Sequence, residues 1–149
     1  MADPELTLLF ASSQWVEAVV RRVNAHPDLP RALEGLGADL AAVVEREPGI
    51  LPFGAAAWGR HQGGRIVAWR VLEDEDDVLE LAPAYVIRAP LALWRALVEG
   101  REDPVRAALS GRVKVKGDLE GLVRRAGYRY IVDEALRGVT TRFPGGASR

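Results

Sequence analysis

Hydrophobic positions along the chain alternate between a helical and a strand spacing. Val16, Val19, Val20 and Val23 fall at i, i+3, i+4 and i+7, with Arg21 and Arg22 outside the stripe. That spacing predicts a helix from about Gln14, capped by Ser12 or Ser13 and ended by Asn24 and the Pro27/Pro30 pair. One further turn is expected over Arg31 to Glu34, stopping at Gly35 or Gly37. From Ala38 to Glu47 the period drops to two, with Leu40, Ala42 and Val44 on one face, and a strand is expected. Pro48-Gly49 and Pro52 punctuate a loop. The runs Gly54 to His61 and Arg65 to Glu73 flank Gln62-Gly63-Gly64 and predict a β-hairpin. In the second run Ile66, Ala68 and Leu72 form one expected face and Val67, Trp69 and Val71 the other. Both are apolar, so either the sheet is covered on two sides or its outer face makes a homodimer contact. Glu73 to Asp77 is expected as an acidic turn, and Val78 to Arg88 as a fourth strand interrupted at Pro83.

The second half turns helical. Leu91, Trp94 and Val98, with Leu93 and Leu97, give a wide apolar stripe between Pro90 and Gly100. Asp103-Pro104 is an N-cap followed by proline, opening a short helix to Ser110-Gly111. Arg112 to Lys116 alternates charged and apolar residues, a strand with its valines inward. Gly117-Asp118 leads into a helix with Leu119, Leu122, Val123 and Ala126. After Gly127, Tyr128, Ile131, Val132, Ala135, Leu136 and Val139 continue at helical spacing. Strands grouped together with one late returning strand predict an α+β fold, a mixed sheet with helices on one side. One domain over 1–149 is expected, its core about 12–138, with 1–11 and 140–149 flexible.

Composition narrows the function classes. Twenty basic side chains against 21 acidic ones leave a net charge of −1, which removes the usual electrostatic drive toward nucleic acid. There is no cysteine, so no disulfide and no thiolate metal site. No apolar run approaches the roughly 20 residues that span a bilayer, and Leu6 to Phe10 is too short for a signal-peptide core. A cytoplasmic protein without stable membrane insertion is expected.

Catalytic motifs are missing: there is no GxxxxGK[ST], no GxGxxG after a strand and no GxSxG. His61 is a candidate general base at a hairpin end, against a plainer reading as a solvated turn histidine. Glu73, Asp74, Glu75, Asp76 and Asp77 offer oxygen ligands without calcium-loop spacing. Asp118 reads as a helix cap. No metal site, no cofactor and no catalytic residue are expected. By contrast, Trp15, Trp58, Trp69, Trp94 and Tyr128 lie in predicted elements, where their large apolar bodies suit either a core or a pocket wall.

From Ala84-Tyr85-Val86-Ile87 onward, Trp94, Gly100, Asp103-Pro104, Leu109, Gly111, Val113-Lys114-Val115 and Gly117-Asp118 follow in one order. That order resembles the type-two sterol carrier protein (SCP2-like) family of small lipid-binding and lipid-transfer domains, in its freestanding bacterial form, over residues 12 to 138. The resemblance implies a five-stranded sheet covered by helices, and an apolar tunnel between the two for a fatty acyl chain, acyl-CoA or sterol-like lipid. It implies no cofactor. Trp94, Leu97, Leu109, Val113, Val115, Leu122, Tyr128 and Ile131 become candidate tunnel walls, and Arg88 and Arg125 candidates for a head-group contact at its mouth. The expectation is a non-enzymatic lipid carrier whose partner is a hydrophobic small molecule. Eight methylenes removed from water give on the order of 6 kcal/mol before ordering costs, useful yet reversible. The alternative is an interaction module of the same fold with a filled tunnel.

Overall fold

The structure, a computed structural model, describes residues 7–47, 49–50, 55–73 and 75–144, without the side chain of Glu75. In chain order the elements are β1 (Leu8–Leu9), α1 (Ser13–Asn24), α2 (Leu29–Ala32), β2 (Asp39–Val44), β3 (Ala55–Gln62), β4 (Arg65–Leu72) and α3 (Glu75–Leu81). Then follow β5 (Tyr85–Ala89), α4 (Leu91–Val98), α5 (Pro104–Leu109), β6 (Lys114–Lys116), α6 (Leu119–Val123), α7 (Ala126–Arg137) and β7 (Thr141–Arg142).

Five strands form a mixed sheet in the order β4-β3-β2-β5-β6. β2 and β5 run parallel, and the other neighbours are antiparallel. The hairpin turns at Gly63-Gly64, both with positive φ (64° and 81°), the conformation a two-residue hairpin loop demands. A Cβ on Gly64 would also stand 3.0 Å from Pro30 Cα, so the turn and the second helix can meet only through glycine.

The sheet has two unlike faces. On one side α1, α2 and α7 share a core of Val23, Leu29, Leu33, Ile131 and Ala135, with Ile66 of β4 packed against it. Farther along the same face, Val44 and Leu91 pack with Phe10 and Phe143, and Ala89 packs with Ala107 and Val113. On the outer face Ala41, Val43, Ala56, Trp58, Leu72 and Val86 form a separate core with Val78 of α3. Helices therefore cover one face, as expected, and the short α3 seals part of the other.

α3 replaces the first half of the expected fourth strand. Val78 and Leu81, three residues apart, both reach the Trp58/Leu72 core, which a strand could not arrange because its side chains alternate. Aspartates and glutamates in its first turn suit the positive end of the helix dipole. The turn after it passes through Ala82 at φ 46°, and the strand begins only at Tyr85. The acidic run is thus partly the start of a helix; Asp74 lies outside the described residues.

Two further expectations change. A bulge shifts the β3–β4 register between Arg60 and His61. It moves Ile66 to the helix side, away from Ala68 and Leu72, which stay with the outer core. The last two helices part at Arg124–Arg125 rather than at Gly127. Arg125 donates to the carbonyls of Ala32 (3.1 Å) and Glu34 (3.1 Å), so it holds the end of α2 while starting α7.

Parts of the two segments expected to be flexible pair with each other. β1 and β7 pair in parallel, Phe10 stacks on Phe143 with ring centres 5.0 Å apart, and Trp15 Nε1 donates to Thr141 Oγ1 at 2.9 Å. Residues 8–10 and 141–143 therefore belong to the fold; 1–6 and 145–149 lie outside the described residues.

Candidate functional site

Strand register assigns each side chain to a face. Ala42 lies opposite Ala57 and Ile87, Leu40 opposite Gly59 and Tyr85, and Ile87 opposite Val115. These residues form a continuous strip across β3, β2, β5 and β6 on the helix side. All of them are only half-buried. Their neighbours on the outer face are drier: Ala41 and Val43 are 0% exposed, Ala56 2% and Trp58 6%. In a helix-covered sheet the helix side is normally the better sealed. Here Ala42, Ala57 and Gly59 are small, and Leu40, Tyr85, Ile87 and Val115 stand around them. α1 packs on β4, and α7 packs on α1, α2 and α4.

The margins are well defined. At one end Val44, Leu91, Phe10 and Phe143 close the strip, with Trp15, Trp94 and Val98 packed on them. Trp94 also donates its indole N–H to the Val43 carbonyl at 2.9 Å, which fixes α4 over β2. Along the β6 side Trp94, Leu97, Val113 and Val115 meet in one cluster with Ile87, Ala89 and Ala107. Along the β4 side Tyr128 and Ile131 belong to the core of α1, α2 and α7. Six of the eight expected wall residues thus sit on two opposite flanks of the strip.

The remaining expectations fare differently. Leu122 on α6 is half-buried and belongs to neither cluster. Leu109 ends α5 at 69% exposure, and its neighbours Ala107 and Ala108 take the inward positions. Arg88 lies opposite Val43 and so projects from the outer face, behind the sheet from any tunnel mouth. Arg125 is committed to the carbonyls of Ala32 and Glu34.

His61 departs from the solvated reading. It is 4% exposed, its Nδ1 lies 3.1 Å from the Ala38 carbonyl and its Nε2 2.6 Å from the Tyr128 hydroxyl. A carbonyl can only accept, so Nδ1 carries the proton and Nε2 accepts from the tyrosine. Burial depresses the imidazole pKa, against opposing pulls from the Ala38 carbonyl and Asp39. The same burial pushes the Tyr128 phenol upward. The pair is neutral and fully hydrogen-bonded, a brace between β3 and α7. Sequence offered no signal for it, since 67 residues separate the partners.

Asp118 caps α6 through Gly121 N–H at 3.1 Å, as expected. Among the described residues no group of three or more His, Asp or Glu side chains is placed to hold a metal. No helix among them is long and apolar enough to cross a membrane. Of two surface depressions of about 430 and 380 Å³, one lies between α1 and β4 at Val20, Asn24 and Trp69, which stands opposite Gly59 of the strip, and the other around Pro30, Leu33 and Gly64.

A family model described as the SCP-2 sterol transfer family matches residues 63–125, a span containing the whole run from Ala84 to Asp118. A crystal structure of sterol carrier protein 2 superposes with a TM-score of 0.75 at 26% identity, covering 87% of this chain and 98% of that one. Residues 63–125 carry the sequence signature of the SCP-2 sterol transfer family, and the chain has the fold of sterol carrier protein 2. Two more SCP2-like structures share the fold. One, described as possibly a sterol carrier protein, comes from Thermus thermophilus, with TM-score 0.75, 24% identity and coverage of 100% and 97%. The other is the sterol carrier protein domain 2 of Helicoverpa armigera, with TM-score 0.56, 14% identity and coverage of 88% and 93%. No curated protein matches this SCP2-like sequence.

Proposed function

We propose that this protein is a lipid carrier that holds one apolar chain along the helix-side strip. The observation that carries the reading is the half-burial of Leu40, Ala42, Ala57 and Ile87 in the middle of a helix-covered sheet. The small residues Ala42, Ala57 and Gly59, with bulky apolar residues at both flanks, support an apolar chain lying along the strip. Trp94, Leu97, Val113 and Val115 would touch the ligand from one side, and Tyr128 with Ile131 from the other. Tyr85 brings a hydroxyl to the bed, and its neighbours along the strip are hydrocarbon. That composition fits a fatty acyl or sterol-like body better than a reactive substrate. We place its work in the cytoplasm, with the lipid as its partner and no chemistry performed on it. The likeness to proteins described as sterol carriers supports the same class.

Native mass spectrometry of freshly purified protein, with organic extraction, tests the reading. A lipid mass at one-to-one stoichiometry is expected, together with uptake of an added fluorescent acyl chain. Ala42→Phe should fill the bed and abolish uptake without lowering the melting temperature. Uptake by Ala42→Phe equal to wild type, or no uptake of any acyl chain or sterol by wild type, would overturn it in favour of a filled-core interaction module.

A further inference from the structure

We infer that the free edge of β4 takes up an extended, acidic peptide segment of a partner protein as an added strand. β4 ends the sheet order β4-β3-β2-β5-β6, so one of its edges has no neighbouring strand. On β3, His61 donates its backbone N–H to the Ala38 carbonyl at 2.9 Å. Strand alternation therefore turns Gly59 and Ala57 toward β2, and Arg60, Trp58 and Ala56 toward β4. Their partners Ala68, Arg70 and Leu72 face back, which leaves the N–H and C=O of Trp69 and Val71 pointing away from the sheet. Neither backbone makes a hydrogen bond on that side among the described residues. Ile66 shows what the edge accepts. The Asn24 side-chain amide takes both its N–H and its C=O at 2.9 Å, supplying the donor and acceptor of an adjacent strand.

The surroundings select the occupant. The depression of about 430 Å³ between α1 and β4 is lined by Val20 and Trp69, with Arg21 and Arg65 beside them. Alternate side chains of an added strand would enter it over Val20 and Trp69 while the backbone pairs with Trp69 and Val71. Val67, 50% exposed, extends the apolar stretch along the edge. Arg65 and Arg70 make no ion pair among the described residues, and Arg21 is paired with Glu17. Those cations work against a second copy. An antiparallel copy that pairs Trp69 with Val71 sets Arg70 against its own counterpart, like charges in register. A strand bearing carboxylates meets the same arginines with opposite sign. The inference rests on the strand edge, whatever the strip holds.

The test titrates the full chain with a fluorescent peptide that alternates glutamate with valine, read by anisotropy and by amide exchange. Binding should slow exchange at the Trp69 and Val71 amides. Replacing the peptide's glutamates with lysine, or N-methylating its backbone, should each weaken binding at least about tenfold. On the protein, Val71→Pro removes one outward donor without touching the β3 pairing. That change, and separately Arg65→Glu with Arg70→Glu, should each cost about tenfold in affinity. Melting curves show whether the variants fold; should one fail to, the two altered peptides decide on wild type alone. No binding of the acidic peptide, equal binding of the lysine or N-methylated peptide, or folded variants that bind like wild type would overturn the inference. So would protection of Trp69 and Val71 that rises with protein concentration in the absence of peptide, which would give the edge to a second copy.

Discussion

The Tyr128 hydroxyl donates to His61 Nε2 at 2.6 Å while the opposite ring nitrogen donates to the Ala38 carbonyl. One imidazole thereby links β3, the start of β2 and α7. The two rings meet edge to face with centres 5.3 Å apart, so the contact is packed as well as hydrogen-bonded. It fixes α7 at the margin of the sheet, next to the bulge that sends Ile66 to the helix side. Asn24 reinforces that corner by exchanging two hydrogen bonds of 2.9 Å with the Ile66 backbone.

Removing the hydroxyl tests the brace. Tyr128→Phe keeps the ring but leaves a buried imidazole nitrogen without a donor, which costs about 1–3 kcal/mol. Urea denaturation should show a lower midpoint with an unchanged slope. A midpoint equal to wild type would mean that water reaches His61 and that the pair does not hold α7.

The brace also has a pH signature. Burial lowers the His61 pKa in the folded state, with a smaller contribution of the same sign from Arg125. A group whose folded pKa lies below its unfolded value of about 6.5 binds fewer protons when folded, so stability falls as pH drops through that value. Melting temperature should therefore decline between about pH 7 and pH 5.5, above the range where carboxylates titrate. His61→Gln, which can donate and accept in the same places without titrating, should flatten that part of the profile. Parallel profiles for the two proteins would assign the decline elsewhere.

Much of this architecture was legible in the chain, and the gaps have physical causes. Local devices announce themselves: Ser12 caps α1, Asp103-Pro104 opens α5, and Gly63-Gly64 turns the hairpin. Long-range choices do not. Val78 and Leu81 fit a strand or a helix until Trp58 and Leu72 supply a surface that both must reach at once. A bulge reverses the side on which Ile66 packs, and nothing local marks it. Leu109 occupies a position in the run Leu-x-Gly that suggested a pocket wall, yet Ala107 and Ala108 take the interior. The strip itself is visible only as a contrast between two faces of one sheet, which requires the register.

The chain ends yield a further prediction. Phe143 is 8% exposed, packs on Phe10, and carries the Arg95 guanidinium 5.1 Å above its ring. Truncating a buried phenylalanine to alanine costs about 3–5 kcal/mol in a well-packed core, and somewhat less at this margin. Phe143→Ala should lower the unfolding free energy by at least about 2 kcal/mol and expose β1 and β7 to faster amide exchange. Exchange unchanged at Phe10 and Arg142 would show that the two short strands hold without the aromatic clasp.

Three leucines separate the walls of the strip from its surroundings. Leu97 packs with Trp94 and Val115 on the flank, Leu122 is half-buried on α6 outside both flanking clusters, and Leu109 faces solvent. A carboxylate at Leu97 would have to be desolvated beside an apolar ligand, and affinity should drop more than about tenfold. At Leu109 the same change leaves the strip untouched, so occupancy by an acyl probe should match wild type while stability shifts by less than about 0.5 kcal/mol. Leu122→Glu decides how far the strip extends: a loss comparable to that of Leu97→Glu would bring α6 into the wall, and wild-type affinity would leave it outside. Probe displacement on the three folded variants reads all of this in one assay. Equal affinity for Leu97→Glu and wild type would sink the assignment of that flank, whatever the other two variants do.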